Sequence, residues 1–396
     1  MRAAAVAIAF LFARAAAADC PPEDLAEPPP PAHDQLTLTK ATWAELPGWR
    51  DDKHAEAIGS FLQSCARISE MRDDDPVGAD GHGGVAKQWR RACAAAAKLK
   101  AGDDASARAF FETEFQPWVA AGKTGPVGKL TGYYVQEMRG SKTQHGAYKY
   151  PVYARPADLV EVDLTPFIRD AHARRIWGRL DATGSVVPYA TREEIRKGAL
   201  AGKNLEIMYV DDPVDLLFAQ IEGSAKVKMD DGSTVWLEFA GKNGRAYKGV
   251  GAALKGELKP GQGTMIGIRK WFNEHAARFD EIVDQNASFV FFKISEKPGA
   301  VGSEKVILTP RRSMAIDRAF IAHGTPIWVD AHAPNVGKTG TSPWQHLLIA
   351  QDTGGGILGA VRGDIYWGDD RDAEELGGRM GGPGRYWLLL PRGVTK

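Results

Sequence analysis

A short apolar run, Leu347-Leu348-Ile349-Ala350, ends at Gln351-Asp352 and breaks into Thr353-Gly354-Gly355-Gly356. Its length and flanks predict a buried strand rather than a helix. A second β-prone run, Ile365-Tyr366-Trp367, starts directly after Asp364. The pattern is strand, glycine loop, strand, with a carboxylate at each strand end. Glycine backbone there lets a ligand approach closely, which suits a site that a polymer must reach. Gly354, Gly356 and Gly359 also match G-x-G-x-x-G, with Asp372 and Glu374 at about the distance of a ribose-binding acid. A dinucleotide site, however, needs a helix opening at those glycines to face the pyrophosphate. Ala360-Val361-Arg362-Gly363-Asp364-Ile365-Tyr366-Trp367-Gly368 is poor helix material, so the glycines are not read as a nucleotide fingerprint.

Elsewhere the chain changes texture once. Met1-Arg2, the apolar Ala3 to Phe12 and the small residues Ala15 to Ala18 form an export signal over 1–18, too short to span a bilayer. Residues 19–45, with four consecutive prolines from Pro28 to Pro31, are expected to be a stiff linker. Export implies an oxidising compartment. Cys65 and Cys93 lie in two alanine-rich, helix-like stretches, 55–68 and 85–100, and are the preferred bridge among three cysteines. Cys20 is left over, and attaches the chain to a membrane only if it is lipidated. A third helix is expected over 105–115.

From Gly125-Pro126 onward short β-prone runs dominate, in keeping with 44 glycines and 23 prolines. Thr191 with Glu194 reads as a capping box, and Asp231-Gly232 between alternating apolar residues reads as a hairpin turn. Residues 264–278 are the last expected helix. The acidic tract 369–375 is expected to be a solvated loop.

Fifty basic and fifty acidic side chains cancel. That excludes a sequence-independent nucleic-acid binder, which needs a phosphate-neutralising surplus. Nine scattered histidines, without H-E-x-x-H or paired cysteine spacing, argue against a metal site; His323, His332 and His346 are read as surface residues. Gly337-Lys338-Thr339 and Gly122-Lys123-Thr124 lack the earlier glycine of a phosphate loop, and Gly223-Ser224-Ala225-Lys226 does not complete G-x-S-x-G. Carboxylates and aromatics remain, the equipment of glycan cleavage. The candidate acids are Asp317, Asp352 and Asp364.

Several stretches, in order, resemble the membrane-bound lytic murein transglycosylase A (MltA) family. They are Leu130-Thr131-Gly132-Tyr133-Tyr134, Pro188 to Ile195, Phe218 to Ser224 and Ala240 to Tyr247. Leu308 to Asp317, Gln351 to Gly355 and Gly363 to Gly368 resemble its C-terminal three-aspartate (3D) domain. The resemblance implies a mainly β fold with N-terminal helices. A double-psi β-barrel, residues 46–137 and 289–396, would carry an inserted, β-barrel-like groove domain over 138–288. It implies cleavage of the β-1,4 bond between N-acetylmuramic acid and N-acetylglucosamine, leaving 1,6-anhydromuramic ends without cofactor. The partners it implies are peptidoglycan strands and cell-wall enzyme complexes, and the location is the periplasm or outer membrane.

By motif, the single catalytic acid falls on Asp364, with Asp352 and Asp317 as supporting acids. Thr131, Tyr133, Gln220, Gly223, Ser224, Asn243, Tyr247, Thr353, Gly354 and Gly355 fall on the substrate groove. Where the family often has Glu-Pro after its Tyr-Tyr pair, this chain has Val135-Gln136, so nearby sugar contacts differ.

Overall fold

The computed structural model describes residues 34–78, 81–164, 167, 175–259 and 262–394. The export signal, the proline run and Cys20 lie outside the described residues.

Three helices open the folded chain. Along Ala55–Ser69, residues Ala57, Phe61, Ser64, Cys65 and Ile68 are buried, the three-and-four spacing of a single face. Ala86–Ala96 and Asp104–Glu114 pack beside it, the latter capped by the Asp103 side chain accepting the Ser106 N–H. Cys65 and Cys93 form the expected disulfide between the first two. Phe61, Phe110, Phe111 and Phe115 meet edge to face at centroid separations of 4.9–6.2 Å, with Phe115 starting the first long strand.

Six strands then close into a ring. Gly381–Pro391 pairs with Pro326–Pro334, which pairs with Thr341–Asp352, then Ser313–Ile316, Arg362–Tyr366 and Gly128–Tyr133, which returns to Gly381–Pro391. Parallel and antiparallel pairs mix, as in the double-psi barrel that the resemblance implied. Phe115–Ala121 and Thr37–Lys40 extend it outside the ring. Thr37–Lys40 is therefore sheet, not linker: alternation buries Leu36 and Leu38 against the barrel.

The inserted part has its own sheet of six strands, from Val290–Ile294 through Thr234–Lys242, Ser224–Met229, Gln136–Ser141 and Glu206–Val210 to Tyr150–Tyr153. A bridge between Ala154 and Phe292 draws its two edges together, leaving a nearly closed barrel. The hairpin at Gly232 (φ +84°) sits where Asp231-Gly232 predicted it. This sheet takes in Gln136–Ser141 and Val290–Ile294, strands that the expected boundaries gave in part or whole to the first barrel. Val290 and Phe292, two residues apart, pack with Ala225 and Leu237 in the insert core, and that burial decides their membership.

Two helical expectations change. Residues 264–278 divide into Met265–Glu274 and a short turn, followed by Phe279–Val283. The acidic tract is only partly a loop: Asp369 and Asp370 pair with Lys226 and Arg311, and Ala373–Arg379 is a helix. That helix forms because Ala373 and Leu376 are buried while Gly377 lies against the Tyr133 backbone, where a Cβ would come within 3.1 Å.

Candidate active site

Register explains how the acids meet. Ala315 in Ser313–Ile316 is the partner of Asp352 on one side, past a bulge, and of Asp364 on the other. Two strand spacings set the acid-bearing backbones about 10 Å apart. Gly128–Tyr133 lies beyond Asp364, with Thr131 as its register partner. Thr131 and Tyr133, two residues apart, share a face. The Thr131 hydroxyl donates to Asp364 at 2.5 Å, and the Tyr133 hydroxyl donates to Asp352 at 2.9 Å. One strand thus addresses both acids.

The two carboxyls differ in what they hold. Asp352 accepts the Ser303 and Thr353 N–H groups, each at 2.8 Å, besides Tyr133. Burial raises its pKa above the usual carboxylate range against the lowering effect of those donors. At Asp364 burial pushes the carboxyl up to about 6, with Arg362 and Thr131 pulling the other way and Asp352 adding to the rise. Asp364 is therefore an acid that can carry a proton near neutrality and also release it.

Asp317 is buried and accepts the Ala319 and Gly359 N–H groups, at 2.9 and 2.8 Å. It ties the turn after Ser313–Ile316 to the turn before Arg362–Tyr366. Thr353 donates its hydroxyl to the Ile316 carbonyl and anchors the glycine loop. Gly354 and Gly355 are at the surface, and a Cβ on Gly355 would stand 3.8 Å from Lys242 Nζ of the insert. The glycine loop and the insert therefore face each other. Gly223 caps the helix Pro213–Glu222 with φ +78°, and Ser224 is buried at the start of the next strand. Tyr247 is 53% exposed on a cleft wall.

Two expected groove residues are corrected. Asn243 is fully buried: its amide donates to the Ala190 and Ala287 carbonyls and its oxygen accepts the Phe289 N–H. It clamps three segments of the insert and has no face for a sugar. Gln220 is also buried, its oxygen accepting from Arg192 at 2.6 Å, and Arg192 in turn holds the Asn286 and Ser288 carbonyls.

Three contributors were not read as site residues from the sequence. Ser303 supplies an N–H to Asp352, and its hydroxyl meets His323 Nε2 at 2.9 Å. Burial lowers His323 to about 3, so it is a neutral partner rather than a surface group. Glu222 is the third. Burial, then the neighbouring Asp364 charge, raises it well above the usual range, against the nearby Tyr134 backbone, which favours the ionised form. Its signal was an acid four residues after Phe218 and eight after Val214, on the helix's buried stripe. No cluster of His, Cys, Asp and Glu suited to a metal occurs among the described residues.

Known proteins match the chain over both of its parts. The MltA specific insert domain matches residues 129–293, and the 3D domain matches 312–390. Membrane-bound lytic murein transglycosylase A of Escherichia coli K12 is 31% identical over 296 residues, 74% of this chain and 73% of that protein. A membrane-bound lytic murein transglycosylase from Agrobacterium tumefaciens superposes with a TM-score of 0.77 at 28% identity, over 90% of this chain and 98% of that one. MltA from Neisseria gonorrhoeae gives 0.74 at 29% identity, over 95% and 99%. Sequence and architecture agree along most of the length, and the chain belongs to the membrane-bound lytic murein transglycosylase A family.

Proposed function

We propose that this protein is a peptidoglycan lytic transglycosylase in which Asp364 alone moves the protons. The observation that carries the reading is a carboxyl on a barrel strand, bonded by the Thr131 hydroxyl and held up to about 6. Protonated Asp364 donates to the bridging oxygen as the C1–O bond of muramic acid breaks and positive charge develops at C1. The resulting carboxylate takes the proton from the C6 hydroxyl of the same sugar, whose oxygen closes on C1. One bond is broken, one is formed, the proton returns to Asp364 and no water is consumed.

An inverting hydrolase needs a second carboxylate, roughly 6.5–9.5 Å away, ionised to activate water. Asp352 is committed to three donors and Glu222 is raised well above the usual range, so neither suits that task. Thr131 and Tyr133 orient the acids, and Gly354, Gly355 and Tyr247 offer the glycan backbone and ring surface. The relatives' names place them at a membrane. Among the described residues no helix is long and apolar enough to cross one; the location proposed is the cell envelope, with membrane attachment only if Cys20 is lipidated.

Digestion of purified sacculi, with fragments weighed by mass spectrometry, tests the reading. Fragments lacking the mass of one water at the muramic end are expected, and their loss in Asp364→Asn. Reducing muramic ends from the unaltered protein would instead indicate a hydrolase. Binding without release would leave a non-catalytic wall protein.

A further inference from the structure

Glu222 lies beside the proposed acid yet has no part in the proton transfers above. It ends the helix Pro213–Glu222, and the next residue, Gly223, turns the chain away in a left-handed conformation. The Tyr134 backbone, which directly follows the strand carrying Thr131 and Tyr133, lies near enough to its carboxyl to favour the ionised form against burial. An acid of the insert thereby faces the backbone of the barrel, at the seam where Gly132 and Gly377 line the same cleft.

The seam is open. Glu222 lines a cleft of about 270 Å³, somewhat below the size that holds a drug-sized ligand and suited to a single ring. Glycine backbone forms part of the other walls, with Gly132 from the barrel, Gly249 and Gly263 from the insert, and Gly377 and Gly378 from the helix Ala373–Arg379; apolar side chains such as Met265 and Met380 form the rest. Tyr247 supplies the large flat surface, 53% exposed, and Phe218 and Ile268 close the floor. Glycine walls bring donors and acceptors of the main chain up to a ligand, and an aromatic face takes the apolar side of a pyranose. Among the described residues no basic side chain offsets Glu222 there, and the negative end of its own helix and the Asp364 carboxylate both oppose its ionisation.

We propose that Glu222 positions the glycan: its carboxyl hydrogen-bonds a ring of the strand seated against Tyr247 in this cleft, next to the scissile site at Asp364. A neutral carboxyl both donates and accepts, so it can bridge a ring hydroxyl and an acetamide carbonyl, groups that every N-acetylated hexosamine offers. The inference rests on the transglycosylase reading for the identity of the glycan, but binding can be measured without turnover.

The probe is a hexamer of N-acetylglucosamine, titrated calorimetrically into the full-length protein carrying Asp364→Asn, so that nothing is cleaved. Adding Glu222→Met, which keeps the length and deletes both hydrogen-bonding functions, is expected to weaken binding roughly five- to tenfold. Adding Glu222→Gln instead, which keeps a neutral donor and acceptor, is expected to rescue most of that loss. An unchanged Kd with Glu222→Met, or equal loss with both substitutions, overturns the proposal. If Glu222→Met does not fold, Glu222→Ala decides between the outcomes: a several-fold loss that Glu222→Gln does not share supports the proposal, and no loss overturns it. A protein that binds the hexamer through Glu222 while releasing no anhydro-muropeptides from sacculi would refute the transglycosylase reading and leave this inference standing.

Discussion

At Asp364 burial favours the neutral acid, while Arg362 and the Thr131 hydroxyl favour the carboxylate. Thr131→Val removes the hydroxyl's share. If the protonated acid begins the reaction, the fall of kcat/KM with rising pH should move upward by as much as about one unit. An unmoved limb between pH 5 and 8 would separate Thr131 from the acid. The raised acid also costs stability once it ionises. Its unfolded value is near 3.8 and its folded value about 6, so the favourable contribution is full below pH 4 and is lost as pH rises through 6. Asp364→Asn does not ionise. The variant should therefore gain on the unaltered protein as pH rises, by about 1–2 kcal/mol at pH 7 after discounting for partial exposure, with the two converging near pH 4. Thermal unfolding at pH 4, 6 and 8 checks it. Both acids were legible as residues, since each adjoins a glycine-flanked β-run. Their inequality was not, because it depends on Ser303 and Tyr133, which reach Asp352 from 49 and 219 residues away.

The helix Ala55–Ser69 is joined to the barrel by charge as well as by packing. Arg312, 3% exposed at its side chain, grips Asp52 through both terminal nitrogens at 2.8 and 2.9 Å and also reaches Glu56. Burial opposes the Asp52 charge, but His346 and Arg312 overcome it and hold the carboxyl well below the usual range. Arg312→Ala leaves that carboxylate buried without its guanidinium partner, and should destabilise by about 3–5 kcal/mol in chemical denaturation. The Cys65–Cys93 bridge secures the same helix to its neighbour across 28 residues. Replacing both cysteines by serine should cost roughly 3–4 kcal/mol by the loop-closure rule. The bridge joins two helices and not the strands that carry the acids, so the rate of sacculus release at room temperature should be retained; a parallel loss of rate would tie the helices to the site through Ser64 and Gln351. Elements of this kind were readable where their signals are local: the face of Ala55–Ser69, the Thr191–Glu194 box and the Asp231-Gly232 turn all stand as expected. The helix Ala373–Arg379 was hidden because its acidic residues face outward, while the reason for its coil, the approach of Gly377 to Tyr133, is a contact between distant segments.

At the scale of the molecule, two barrels share one chain, with the insert leaving the first after Tyr133 and returning after Ile294. Resemblance to a family announced that nesting. Periodicity could not, because strands a few residues long say nothing of their partners. Thr37–Lys40 and Val290–Ile294 show the limit: each has a readable pattern, and neither joins the segment that its position in the chain suggested. The ring itself has a temporal side. Gly381–Pro391, the last strand in order, is bonded to Gly128–Tyr133, the strand that bears Thr131, and Thr131 meets Asp364 across 233 residues of sequence. Pairings so far apart form late and slowly. The bond between Thr131 and Asp364 therefore depends on a ring that the strand Gly381–Pro391 closes, so the acid is framed only when segments from both ends of the sequence have met.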